Sequence, residues 1–157
     1  MESYVDVLLE SLEKKIIILK KIEEMNQEQT NILKKVPLCL KEFDENVENK
    51  GTQIEELVKL DNGFDSIYVR VRDTFIIEKK KYANEIVQMQ KMIAEIMDFS
   101  VSIQAHESRN KALVEQVFIN ERSKTKKSKM SAKASLNYYM SMSKTNYVDP
   151  QFLDQHK

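Results

Sequence analysis

The chain has 157 residues, 41% hydrophobic and 32% charged, with two glycines, two prolines, one cysteine and no tryptophan. A length of ~100–200 residues is typical of one domain, and this composition excludes a disordered chain and a membrane-embedded one. The net charge is zero, but from Arg122 onward eight Lys and Arg stand against Asp149 and Asp154, a balance of +6, leaving 17 basic and 23 acidic residues before it. An acidic body and a basic tail suggest two parts with different work.

Met, Leu, Lys, Glu and Gln are abundant, and they lose little rotamer freedom in a helix. A first helix is expected from about Ser3 to Lys35. Val5, Leu9, Leu12, Ile16, Leu19 and Ile22 recur at steps of three and four and form one stripe. Leu8, Ile17 and Met25 widen that stripe. Ser3 is a candidate cap. From Asn26 to Asn31 the stripe turns polar, which predicts looser contact, and Pro37 ends the segment by pushing its predecessor out of the helical region.

The second helix is expected to begin within Pro37–Glu42 and reach about Leu60. Phe43, Val47, Ile54, Leu57 and Val58 keep helical spacing, with Gly51 weakening the run by ~1 kcal/mol relative to Ala. Asp61-Asn62-Gly63 reads as a stop or kink, after which Phe64, Ile67, Tyr68, Val71 and Phe75 resume the pattern briefly. Arg72–Lys81 either bends or continues straight into the next element.

The third helix carries the clearest signal. Tyr82, Ile86, Met89, Ile93, Ile96, Ser100, Ile103, Glu107, Asn110, Val114 and Val117 alternate steps of four and three. That is a heptad seam, the pattern that wraps helices around one another. Three striped helices on short connections predict an all-α antiparallel bundle with coiled-coil character over 1–123. Beyond it, 124–157 reads as a flexible basic and aromatic tail, with a short helix at 134–143 as an option.

Candidate chemistry is sparse. His106 and His156 are the only histidines, and a zinc site needs three or four converging ligands. His106 reads as a surface or seam residue, Cys39 as a small buried apolar one, and Met89, Met92 and Met97 as core. No phosphate-binding Gly-rich loop, nucleophile elbow or metalloprotease helix motif is present. The expectation is a protein without catalytic residues, cofactor or metal. Cys39 as the sole cysteine suits a reducing compartment. The acidic N-terminal stretch is no secretory signal, and the longest apolar run, Ile16–Leu19, is too short to span a bilayer. A cytoplasmic protein without stable membrane insertion is expected. The lysines of 124–133 read as solvated linker rather than a nucleic-acid contact. The tail aromatics either fold back or bind a partner.

Helices of these lengths, LDNGF at Leu60–Phe64, YANEIVQMQKMI, IQAHESRNKALVEQVF and the closing NYYM…VDPQFLDQHK together resemble the FlgN/FliT-like flagellar export chaperones of Gram-positive bacteria. The resemblance covers nearly the whole chain. It implies a cytosolic binding protein that holds amphipathic terminal helices of hook–filament junction proteins, or of the filament cap protein, and delivers them to the type III export apparatus. On this reading Leu113, Val114, Val117 and Phe118 offer an incompletely buried apolar strip, and Tyr138, Tyr139, Phe152 and Leu153 close over the client or contact the export machinery. Two other readings are a structural coiled coil that homodimerises through Tyr82–Val117 and a nucleic-acid binder using 124–133.

Overall fold

The computed structural model describes residues 2–121, which form three α-helices: α1 (Glu2–Leu33), α2 (Leu40–Ile77) and α3 (Ala83–Glu121). The boundary expected at 123, the tail and the short helix expected at 134–143 lie outside the described residues. Among the described residues there is no strand. The fold is the expected three-helix bundle, with α1 packed closely on both α2 and α3. Partners across α1 and α2 count in opposite directions, Lys15 with Asp61 and Gln29 with Asn46, so these helices are antiparallel. Partners across α1 and α3 rise together, Glu23 with Ser102 and Thr30 with Asn110, so these are parallel.

Each helix presents a heptad seam to the bundle axis. On α3 the expected seam is buried from Tyr82 through Val114; at its end Phe118 is buried and Val117 only partly. The steps Asn110, Val114, Phe118 are two fours in succession. The seam has drifted because a helix has 3.6 residues per turn, not 3.5. On α1 the buried register is Val5, Leu8, Leu12, Lys15, Leu19, Ile22, Asn26, Gln29 and Leu33, again alternating three and four. Ile17 falls on the opposite side of the helix and is exposed, while Ile18 takes the buried place expected of it. Ser3 lies inside α1, not at its cap position.

α2 departs furthest from expectation. It runs unbroken through Asp61-Asn62-Gly63, and no glycine has positive φ. The flanking Leu57, Leu60, Phe64, Tyr68 and Val71 all pack into the core, so tertiary burial outweighs the ~1 kcal/mol that a helical glycine costs. The true break comes after Ile77, where a five-residue turn leads into α3. Phe75 and Tyr82 close that turn edge to face, with centroids 5.6 Å apart. At the other connection the Val36–Pro37 bond is cis. Cys39 takes the N-cap position of α2, half-buried rather than buried, with no side-chain capping bond. Of the three methionines expected in the core, Met89 is fully buried, Met92 partly, and Met97 is exposed.

Candidate functional site

The apolar core is divided in two. The larger part fills the half of the bundle around Leu8, Leu19, Leu57, Val71, Met89 and Ile96. The smaller holds Ile32, Leu33, Phe43, Val47, Val114 and Phe118, with Phe43 and Phe118 tilted against each other at 5.5 Å. Between them lies a belt of buried polar side chains drawn from all three helices.

The belt is centred on Lys50 and Glu107, which meet at 2.6 Å with only 2% and 6% of their surfaces exposed. Burial pulls the Lys50 ammonium below its ordinary pKa, and the opposing attraction of Glu107 does not fully restore it. Around this pair Gln29 donates to Asn46 Oδ1 at 3.0 Å, and Asn46 donates to the Met25 carbonyl at 2.9 Å. Asn110 Nδ2 donates to the Asn26 carbonyl at 3.0 Å. The side-chain amide of Asn26, itself fully buried, has no hydrogen-bond partner among the described residues.

On the α1–α3 side Thr30 connects the belt to His106. Its hydroxyl lies 2.6 Å from Asn110 Oδ1 and 3.1 Å from the Asn26 carbonyl, both acceptors for its one proton, and 2.9 Å from His106 Nε2. With the hydroxyl proton directed at either of those oxygens, His106 Nε2 is the ring nitrogen placed to donate to Thr30. Nδ1 then faces Glu23 at 3.9 Å, while Ser102 donates to the other Glu23 oxygen at 2.8 Å. Burial lowers the His106 pKa, partly offset by Glu23.

A buried ion pair is weak evidence for stability, because desolvation consumes most of the attraction. What such a layer does well is fix register: sliding any helix by one heptad would set Lys50 or Glu107 against aliphatic side chains. Among the described residues no cluster of His, Cys, Asp or Glu has the arrangement of a metal site.

Asn26 and Gln29 reverse the expected loosening of α1 at its polar end, for they are among the most buried residues in the helix. The belt was present in the sequence as register. Asn26 and Gln29 continue the seam of α1, Lys50 sits between Val47 and Ile54 at steps of three and four, and Glu107 and Asn110 were already seam positions. Hydrophobicity alone cannot separate a polar seam residue with partners from one facing water.

The expected apolar strip is split by the structure. Val114 and Phe118 are buried in the smaller cluster and are not available as a surface. Leu113 and Val117 stay half-buried, and with Leu38 and Leu40 they rim that cluster. Tyr138, Tyr139, Phe152 and Leu153 lie outside the described residues. The seam from Tyr82 to Val114 is satisfied within one chain, so it is not an open dimer surface. The chain matches no family model, no curated protein and no solved structure.

Proposed function

We propose that this chain is a helix-binding chaperone of the flagellar export type, taking an amphipathic terminal helix of a hook–filament junction protein on the rim of the smaller cluster. The observation that supports the reading is the division of the core. Leu38, Leu40, Leu113 and Val117 surround a small apolar nest that the polar belt separates from the main core. Val36, 96% exposed, and Ile119, 57% exposed, extend the apolar surface at the same end. An amphipathic helix presents anchors at i, i+3, i+4 and i+7, and Leu113 and Val117, four apart on α3, match that spacing. The same end leads into residues 122–157, whose aromatics are candidates to close over the client. Delivery to the export apparatus follows from the sequence resemblance.

Replacing Leu113 and Val117 together by Asp leaves the buried Val114 and Phe118 in place and should preserve helical content. Affinity for a synthetic terminal helix of a junction protein should fall by roughly 30-fold or more, since apolar anchors of this kind contribute ~1 kcal/mol or more each. Undiminished binding by the double variant would remove the rim from the proposal. Binding of the cap protein's terminal helix in preference to the junction protein's would change the client and keep the site.

A further inference from the structure

The opposite end of the bundle carries a second unusual surface. Where α2 ends, Ile76 and Ile77 point outward, 50% and 81% exposed, with Val69 two turns earlier 62% exposed. Glu78, Lys79, Lys80 and Lys81 follow at once in the turn, all exposed. From Val69 to Lys81 there are five basic residues and two acidic ones, a local balance of +3. The rest of the chain before Arg122 carries 12 basic and 21 acidic residues, so this tip is a basic point on an acidic body.

Not every cation there is available. Lys81 sits over the Tyr82 ring at 5.4 Å and lines a hollow with Asp6 and Glu85, and Arg72 lies 3.9 Å from Asp73. Lys79 and Lys80 have no ion-pair partner among the described residues. The other connection offers less. Lys35 is held by Glu42 at 2.8 Å, which leaves Lys34 exposed beside Val36, the one strongly exposed large apolar side chain in that loop.

We propose that the α2–α3 turn is a docking tip for an anionic membrane surface, with Ile76 and Ile77 entering the interface and Lys79 and Lys80 meeting lipid phosphates. The shape selects the partner. A helix or peptide is received in a groove, whereas here two adjacent branched side chains stand exposed on the last turn of α2, directly before an exposed turn that carries the lysines. Lysines beside a shallow apolar insertion are the composition that binds anionic bilayers, by apolar burial and by attraction to headgroups together. No described helix is long and apolar enough to cross a membrane, so the contact is peripheral. It is independent of the helix-binding rim, which occupies the other end.

The chain contains no tryptophan, so Ile77→Trp in the full-length protein provides a unique reporter. Its emission should move to shorter wavelength with vesicles of phosphatidylcholine and phosphatidylglycerol, and stay unmoved with phosphatidylcholine alone. Val36→Trp, at the far end, should show no shift with either. In vesicle flotation Lys79→Gln with Lys80→Gln should weaken binding by about 25-fold, at about fivefold per lysine. Ile76→Ser with Ile77→Ser should weaken it by roughly tenfold or more. All these positions are exposed, and circular dichroism checks that the variants fold. The proposal is overturned if no vesicle binds. It is also overturned if binding survives both double variants and is lost when the lysines of 124–133 are neutralised, which would assign the membrane contact to the tail.

Discussion

The two halves of this bundle share a heptad geometry and differ in what fills it. Around Leu19, Leu57 and Met89 the seam positions are apolar apart from the Lys15–Asp61 pair and Ser100, and burial of ~25 cal/mol per Å² of apolar surface drives the association. Such a seam is strong and indifferent, because one aliphatic layer resembles the next. Around Asn26, Lys50, Glu107 and Asn110 the same positions are polar. Those layers associate only in one register, and they contribute little net stability. The larger half therefore supplies cohesion, and the belt supplies the alignment that fixes the small cluster beyond it.

The largest test of this contrast removes one member of the buried pair. Glu107→Ala leaves Lys50 buried without its carboxylate and should cost about 3–5 kcal/mol in chemical denaturation. Replacing both, Lys50→Met with Glu107→Leu, should restore stability to the parent value or exceed it. The double variant should also show the loss of register specificity, as broadened amide resonances or a second oligomeric species. If the double variant were as unstable as Glu107→Ala, the pair would be a net source of cohesion and the contrast would fail.

A smaller effect is expected within the cohesive half, at Gly63. A Cβ built there meets nothing within 4 Å, and the residue has no positive φ to lose. Gly63→Ala should therefore stabilise α2 by ~0.5–1 kcal/mol. A loss of stability would show that the helix bends at Asp61–Gly63 in solution, as the sequence suggests.

That residue also marks where sequence reading stops. The α3 seam was legible position by position, because a strict alternation of three and four over 33 residues, from Tyr82 to Val114, has no competing explanation. The end of α1 near Pro37 and the start of α2 were legible from proline geometry. The Asp61–Gly63 break was misread because local propensity is worth ~1 kcal/mol, and the neighbours that override it are on another helix. Lys15 and Asp61 show the same limit. Both occupy seam positions and pair at 2.7 Å, yet they stand 46 residues apart and each alone looks like a solvated charge. The rim had the converse fault: Leu113, Val114, Val117 and Phe118 form one apolar run in sequence, and only packing divides the buried pair from the half-exposed pair.

The smallest expected effect concerns the pH dependence of the belt at its His106 edge. Burial is the main cause of the lowered His106 pKa; Arg109 and Lys50 act in the same direction, and Glu23 and Glu107 oppose them. In the folded chain His106 therefore binds fewer protons than in the unfolded chain, whose value is near 6.5. Stability rises with pH wherever the unfolded state binds more protons, so this contribution is complete above 6.5 and is lost as pH falls below it. Asp61 works in the opposite sense at lower pH. Burial raises its pKa above 3.8 despite Lys15, so its contribution falls as pH rises through that range. The His106→Gln variant separates the two, because glutamine's amide can donate to Thr30 and has no charge to gain. Thermal midpoints of the parent should drop between pH 7 and 5.5 more than those of His106→Gln, whose profile should be flatter. Parallel profiles would mean that the attraction of Glu23 has cancelled the desolvation of the ring, and that the belt is insensitive to proton concentration at this edge.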